Sequence, residues 1–157
     1  MHAQAPSARE YQVKAVFLFN FSHFVEWPSS AFGSAESPMT IGVLGNNPFG
    51  SYLEQAVAGE TMDGRKLVIR YCSDIKEALG CQMLFINTPG RTKEVLAALS
   101  GKSILTVGDG EDFAKNGGMI QFYLANNKTR IKINLTAAKA ANITISSKLL
   151  RLAEIVE

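Results

Sequence analysis

The sequence predicts an α/β fold, a three-layer sandwich with a mostly parallel sheet, helices on both faces and an antiparallel hairpin near the C-terminus. Short apolar runs alternate with helical stretches along most of the chain, and parallel strands need such crossovers to return across a sheet. Two later runs, 119–124 and 128–134, are separated only by Ala125-Asn126-Asn127, which is typical of a hairpin, here expected at the edge of the sheet.

Length and composition predict one domain. The 157 residues, 46% of them hydrophobic and 19% charged, are enough to bury a full core. We therefore expect a short tail over residues 1–6 and a single α/β domain over residues 7–157.

The first helix should begin after Ser7 and end at Trp27. Ser7 and Glu10 form a capping box, and Pro28 disfavours helical geometry at the residue before it. The apolar residues between them, from Val13 onward, cover so much of the helix that it should be buried on most sides.

The middle of the chain alternates between strands and helices. Apolar runs bounded by turn residues predict strands at 39–44, 66–71, 83–86 and 103–107. Helices are expected from Pro48 onward, at 74–79 and at 91–99, because proline is favoured in a first helical turn and the other two stretches are periodic. The chain should close with a helix capped by Ser146 and Ser147 that runs to Val156 and docks on the sheet.

The charge pattern argues against nucleic acid as a partner. The net charge is +2, and basic residues are scattered except for Lys128, Arg130 and Lys132, whose alternation is typical of the solvent face of a half-buried strand. The chain also has no run of about 18 apolar residues, so we do not expect it to span a membrane.

No combination of residues predicts catalysis, a metal site or a cofactor. The chain has two histidines, and it has no G-x-S-x-G, H-E-x-x-H or C-x-x-C motif. The segment 45–51 resembles a phosphate-binding loop, but Ser51 stands where such a loop requires lysine.

Ligands of α/β sheets bind beyond the carboxyl ends of the strands, which here carry Gly45, Asn46, Thr88 and Gly108-Asp109. These residue types are equally typical of tight turns, which is the simpler interpretation. A weakly specified ligand site therefore remains open at this edge.

Cys72 and Cys81 are nine positions apart, between two predicted strands. A full helical crossover would hold them too far apart for a disulfide, whereas a looser connection would permit one. The sequence leaves both alternatives open, a Cys72–Cys81 disulfide or two separate buried thiols.

A candidate binding surface lies at two helix ends. Trp27, the only tryptophan, is either an interface anchor or a core residue. On the final helix Lys148 and Arg151 are about one turn apart, and Ser146 with Ser147 leaves amide groups suited to an anion. If the final helix packs beside the first, the two ends form one surface for a ligand or a partner.

The N-terminus predicts export. Ala3-Gln4-Ala5 has the small-x-small pattern at which secretory signal peptides are cleaved, so the full-length gene should encode a signal peptide ending near Ala5. The alternative is the frayed N-terminus of a cytoplasmic protein.

Taken in order along the chain, a set of motifs resembles the YfiR family of periplasmic proteins. These motifs are Tyr11-Gln12-Val13-Lys14-Ala15, Phe24-Val25-Glu26-Trp27-Pro28, Ile41-Gly42-Val43-Leu44-Gly45, Pro48-Phe49-Gly50, Leu84-Phe85-Ile86, Leu105-Thr106-Val107-Gly108-Asp109, Gly117-Gly118-Met119-Ile120, Ile133-Asn134-Leu135 and Ile145-Ser146-Ser147-Lys148-Leu149-Leu150. The resemblance covers nearly the whole chain from Tyr11 onward.

The resemblance implies a small secreted α/β protein that acts as a negative regulator in cyclic di-GMP signalling. Its partner would be the periplasmic region of an inner-membrane signalling protein, a diguanylate cyclase, and formation of a homodimer is left open. A small-ligand sensor and an unrecognised enzyme are the alternatives. The sequence departs from the family at Gly42, where members often have a cysteine paired with the one matching Cys81.

Overall fold

The computed structural model describes residues 8–156, so the predicted tail over residues 1–6 and the cap at Ser7 lie outside the described part. The helices in this range are α1 (Ala8–Phe24), α2 (Tyr52–Val57), α3 (Ile75–Ala78), α4 (Thr92–Leu99), α5 (Leu135–Ala140) and α6 (Ser147–Leu150), with a 3₁₀ turn at Ser29–Ala31. The strands are β1 (Val25–Glu26), β2 (Met39–Gly45), β3 (Thr61–Met62), β4 (Arg65–Cys72), β5 (Met83–Asn87), β6 (Leu105–Gly108), β7 (Ile120–Ala125), β8 (Lys128–Asn134), β9 (Thr144–Ile145) and β10 (Ala153–Val156).

The main sheet has eight strands in the order β10-β8-β7-β6-β5-β2-β4-β3. The five strands from β7 to β4 in this order are mutually parallel, whereas β8 is antiparallel to β7 and β3 is antiparallel to β4. This arrangement confirms the predicted mostly parallel sheet with a hairpin in its C-terminal part.

Successive residues of the central strands point into two separate cores, one on each face of the sheet. Val43 and Phe85 belong to the larger core under α1, α2, α5 and α6, whereas Leu44 and Ile86 belong to the smaller core under α3 and α4. Because both faces are covered, β2 is buried from Met39 through Leu44 without the alternation of a half-exposed strand. The predicted helices on both faces are confirmed.

The hairpin between β7 and β8 forms as predicted. Asn126 and Asn127 both have positive φ, 54° and 63°, the geometry that the right-handed twist of a two-residue hairpin requires. Lys128 and Arg130 are exposed and Ile131 is buried, which confirms the solvent face. The hairpin is not the edge of the sheet, however, because β10 pairs with β8 on its outer side.

The prediction of a helix running to Val156 is wrong. The helix α6 ends at Leu150, and β10 pairs in parallel with β8, with Ile155 opposite Ile133. The physical reason is the edge of β8, whose unpaired N–H and C=O groups are satisfied by a further strand. The β-branched pair Ile155 and Val156 suits that strand better than a helix.

The first helix is shorter and less buried than predicted. It ends at Phe24, not Trp27, because the next two residues pair with β9 as strand β1. The expectation of burial on most sides is wrong, since Val13 and Val16 lie on an exposed face while Leu18 and Phe21 are fully buried. A helix that packs on one side of a sheet leaves its outer face in solvent.

The second helix begins at Tyr52 and not at Pro48. The Asn47 side chain accepts a hydrogen bond from the Phe49 amide and donates one to the Gly50 carbonyl. These bonds hold the segment before α2 as a turn.

Candidate functional site

Trp27 lies at the amino edge of the sheet, half-buried against the larger core. Its indole Nε1 donates a hydrogen bond to the Gln82 carbonyl at 2.7 Å. The buried Gln82 side chain accepts a bond from the Thr40 amide and donates one to the Ala31 carbonyl, each at 2.7 Å. Trp27 therefore belongs to a hydrogen-bonded network that fixes the loop after α1 to the start of β5.

The start of α6 lies beside the end of α1, which is the packing that the sequence required for a shared surface. The Ser146 amide donates to the Phe24 carbonyl at 2.8 Å, and the Ser146 hydroxyl accepts from the Lys148 amide at 3.2 Å. Ser147, Lys148 and Arg151 are exposed around this start. Because α6 has only four residues, it has too few aligned peptide dipoles to form an anion site by itself.

Trp27 and the basic pair occupy opposite ends of a short ladder. In that ladder Val25 faces Ile145 and Glu26 faces Thr144, so Trp27 lies beyond one end and Ser146 beyond the other. The predicted single surface is thus divided into two parts, with Trp27 at one end of the ladder and the start of α6 at the other. We call the exposed part, formed by Ser147, Lys148 and Arg151, the basic surface.

A buried ion-pair network lies at the opposite, carboxyl edge of the sheet. Lys14 is 4% exposed, and its Nζ lies 2.6 Å from a carboxylate oxygen of Glu10 and 3.1 Å from Asp109 Oδ2. The Tyr11 hydroxyl donates to the same Asp109 oxygen at 2.5 Å. We call Glu10, Tyr11, Lys14 and Asp109 the Lys14 cluster.

The Lys14 cluster connects α1 to the end of β6. The ammonium group of Lys14 also lies 4.5 Å from the centre of the Tyr11 ring and 5.6 Å from that of Phe122. Burial, and then the hydrogen bond to Asp109, raise the pKa of Tyr11 above its usual range, so its hydroxyl stays protonated and donates. These groups are fully engaged with one another, which is the arrangement of a structural network.

The Lys14 cluster was not predicted from the sequence, although Lys14 and Asp109 both belong to motifs named in the sequence analysis. The spacing of Glu10 and Lys14, four residues apart on a helix, signals a local ion pair. Asp109 was considered as a tight-turn residue or as part of a ligand site at a strand end. No local signal links residues 95 positions apart, as Lys14 and Asp109 are.

The central crevice of the sheet is closed. Where β2 and β5 end, the Asn46 amide donates to the Asn87 carbonyl at 3.3 Å, and the Asn87 side chain donates to the Asn46 carbonyl at 2.9 Å. Gly45 has φ +92° and passes so close to the Asn87 carbonyl that any Cβ would clash with it. The tight-turn interpretation therefore holds for Gly45 and Asn46.

One strand further along, the same edge is open. A cleft of about 240 Å³ lies between the ends of β5 and β6, bordered by Thr88, Asp109, Glu111 and Phe113 among other residues. Thr88 is buried, and its hydroxyl oxygen has no hydrogen-bond partner within residues 8–156. A buried hydroxyl without a partner is unfavourable, so this position differs from the closed turns beside it.

Cys72 and Cys81 are both buried free thiols. The connection between them is loose, since α3 has only four residues, and the thiols lie close enough for each to affect the pKa of the other. Burial is the main cause that raises both pKa values, to about 12 for Cys81. A Cys72–Cys81 disulfide stays a prediction.

The raised pKa of Cys81 predicts slow alkylation of the folded protein. Its ordinary value is near 9.0, so at pH 8 a pKa of about 12 lowers the thiolate fraction by roughly 10³-fold. We expect iodoacetamide to label Cys81 far more slowly in the folded protein than in urea, with a rate that rises as the pH increases toward 12. Equal rates in the two states, followed by peptide mass spectrometry, would contradict the burial of the thiol.

Gly42 is the position at which a cysteine would restore the pairing with Cys81 that the resemblance implies for the family. A Cβ built on Gly42 would lie 3.5 Å from Cys81 Cβ, at the lower end of the roughly 3.5–4.5 Å that a disulfide spans, and Leu84 Cδ1, 2.8 Å from that Cβ, would have to shift. We expect Gly42→Cys to form a disulfide with Cys81 on mild oxidation and to raise stability by about 1–2 kcal/mol after strain. Non-reducing peptide mapping checks the bond, with Gly42→Ser as a control that cannot cross-link. Three free thiols after oxidation would show that the backbone at Gly42 cannot adjust.

The described part of the chain has neither a cluster of metal-binding side chains nor a helix that could span a membrane. Residues 8–156 contain no group of three or more His, Cys, Asp or Glu side chains placed to hold a metal ion. Over the same residues, no helix has the length and apolar character needed to cross a membrane.

Comparison with known proteins shows the fold and the family. No curated protein matches the chain. Among solved structures, the ABC domain in complex with L-Trp from Streptococcus pneumonia is similar, with a TM-score of 0.51 and 13% identity over 74% of this chain and 55% of that one. At this identity the likeness shows the fold alone, and the present chain spans about half the length of that structure.

The family is shown by a model that matches most of the chain. The YfiR/HmsC-like model, DUF4154, matches residues 11–154, a range that includes Tyr11, Lys14 and Asp109 of the Lys14 cluster and the whole basic surface. This match agrees with the motifs from Tyr11 to Leu150 that resemble the YfiR family. The chain therefore belongs to the YfiR/HmsC-like family.

Proposed function

We propose that this chain is a non-catalytic periplasmic regulator that binds and restrains an inner-membrane diguanylate cyclase in cyclic di-GMP signalling. The observation that carries the proposal is the family match over residues 11–154. The resemblance to the YfiR family implies such a role, exerted on the cyclase from the periplasmic side. A negative regulator of this kind needs a rigid fold and an exposed contact surface.

The basic surface is our candidate for that contact. Lys148 lies in α6 and Arg151 follows its last residue; both are exposed, and a partner could pair with them at little cost to the fold. Trp27 lies beyond the other end of the β1–β9 ladder, and its indole is already hydrogen-bonded to Gln82. Truncation of Trp27 would therefore change stability and binding together, so the charged residues make the better test.

The test uses the native host and charge-reversal variants. We expect deletion of the gene to raise cellular cyclic di-GMP and wild-type protein to restore the lower level. The double variant Lys148→Glu/Arg151→Glu should fold normally. Its affinity for the cyclase should fall about tenfold, so it should lose most of this restraint. Lys93→Glu is the control for each of the two single charge reversals, since Lys93 is exposed at the start of α4, on the other face of the sheet from α6.

Two outcomes would count against this proposal. An unchanged level of cyclic di-GMP after deletion would remove the cyclase as the partner. Full restraint by the double variant would move the contact away from the basic surface. Binding of the purified cyclase periplasmic domain, measured by calorimetry with the same variants, separates direct contact from indirect effects in cells.

The proposed location and assembly state need separate measurements. N-terminal sequencing of the exported protein should give a cleavage site near Ala5, whereas retention in the cytoplasm would end the periplasmic proposal. A homodimer stays an open prediction, and light scattering during size-exclusion chromatography decides it.

A small-ligand sensor is a second candidate function. The observation that favours it is the open cleft beside Thr88, at the edge where α/β sheets bind ligands. Such a sensor could combine with the regulatory role, since the lining of the cleft includes no residue of the basic surface.

A further inference from the structure

We propose that the cleft at the carboxyl ends of β5 and β6 binds a small hydroxylated amine, which hydrogen-bonds to Thr88 and pairs with Glu111. The proposal assigns a site and a ligand class, and it stands independently of the cyclase partner. Three observations carry it: an unpartnered buried hydroxyl, an uncompensated carboxylate and the size of the cleft.

The first observation concerns the hydrogen bonding of the buried Thr88 hydroxyl. Its side chain is 7% exposed and lines the cleft, but the Oγ1 atom has no hydrogen-bond partner in residues 8–156. The methyl group faces β2, since Cγ2 lies 3.2 Å from the position of a Cβ on Gly45. The oxygen itself has almost no solvent-accessible surface, so a group that enters the cleft would reach it only after a small rotation of the Thr88 side chain, and a bond to it would then remove an existing cost.

The second observation is the charge of the cleft. Asp109 and Glu111 line it, and its wall includes no lysine, arginine or histidine. The Asp109 carboxylate is already engaged by Tyr11 and Lys14. Glu111 is exposed and forms no ion pair within the described residues, so the cleft carries one uncompensated negative charge. A monocation would balance it.

The third observation is the size and polarity of the cleft. Its volume of about 240 Å³ is below the roughly 300–1,000 Å³ of pockets that hold drug-sized molecules. Asn87 and Asn116 add amide groups to its wall, whereas Thr92 donates to the Thr88 carbonyl and positions the loop. A molecule of monosaccharide size with several hydroxyl groups and one ammonium group matches this lining.

The test titrates the isolated protein with glucosamine, the probe for this ligand class, and follows backbone amide shifts by NMR. We expect saturable binding with a dissociation constant in the millimolar range, with the largest shifts around Thr88 and Glu111. Glucose and N-acetylglucosamine retain the hydroxyl groups but lack the positive charge. They should bind at least tenfold more weakly.

Two variants connect binding to the two groups. Thr88→Val removes the unpartnered hydroxyl, so the melting temperature should stay the same or rise while glucosamine binding weakens about tenfold. Glu111→Gln should weaken glucosamine binding by a similar factor. Glu36→Gln, at another exposed site, should leave glucosamine binding unchanged. Thr106→Val is the stability control, because Thr106 Oγ1 accepts a bond from the buried Met119 amide and its loss should lower the melting temperature.

Absence of saturable glucosamine binding by the wild-type protein would overturn the proposal. Equal affinity for glucose would overturn the role of charge, and unchanged binding by Thr88→Val would overturn the placement of the site. None of these measurements involves the cyclase, so failure here and failure of the regulatory proposal are distinguishable.

Discussion

Replacing Phe113 with alanine is expected to lower the free energy of unfolding by about 3–5 kcal/mol. Phe113 is 2% exposed and belongs to the smaller core. One edge of its ring lies 2.6 Å from the position of a Cβ on Gly108, and the opposite edge lies still closer to that of a Cβ on Gly118. The ring thus fills a gap that exists only because both positions are glycine. Urea denaturation followed by circular dichroism measures the loss.

A double-mutant cycle tests whether the ring is the reason for the glycine. Gly118→Ala alone should destabilise by about 1–3 kcal/mol, because its methyl group would overlap the Phe113 ring. In the Phe113→Ala background that clash disappears, so the same substitution should cost much less, with a coupling energy above roughly 1 kcal/mol. Additive effects would show that Gly118 is required for another reason, such as its backbone geometry.

The parts of the fold that sequence could predict are those with a local cause. The strand β2 was predictable because Met39 to Leu44 is an apolar run between turn residues, and a strand covered on both faces needs no alternation. The hairpin turn was predictable because Asn126 and Asn127 tolerate positive φ. In both cases a few neighbouring residues determine the conformation.

The errors occurred where a distant strand determined the conformation. Residues 153–156 carry an apolar pattern that suits a helix as well as a strand, and the open edge of β8 decides between them. The end of α1 was placed at Trp27 because the pairing of Val25 with Ile145, 120 positions away, leaves no trace in the local pattern. In each case the pairing with a distant strand, and not the local apolar pattern, decides the conformation.

The candidate sites also divide into features with a local cause and features that depend on distant residues. The exposure of Lys148 and Arg151 followed from a local helical pattern, whereas their separation from Trp27 depends on the β1–β9 ladder. Thr88 was noticed as a strand-end residue, but only the three-dimensional packing shows that its hydroxyl is buried without a partner. The interaction of Cys72 with Cys81 depended on the length of α3, which composition does not determine.

The largest electrostatic effect should come from Lys14→Met. Methionine keeps most of the aliphatic part of the side chain but removes the ammonium group, so the Glu10 and Asp109 carboxylates lose their shared cation and the Phe122 ring loses its contact with that cation. The side chains of the two acids are 15% and 21% exposed, so water screens their repulsion only in part. We therefore expect a loss of about 2–3 kcal/mol in the free energy of unfolding at neutral pH, and part of it should return at high salt.

Lys132→Met is the matched control for this prediction. Lys132 Nζ lies 3.8 Å from a Glu154 carboxylate oxygen, with the two side chains 32% and 59% exposed, and an ion pair in that setting contributes under about 1 kcal/mol. Both variants remove one positive charge by the same substitution, so the difference between them measures the buried network alone. Similar losses in urea denaturation would mean that Lys14 acts through net charge. A large loss confined to Lys14→Met, reduced at 1 M salt, would assign it to the contact that joins α1 to the end of β6.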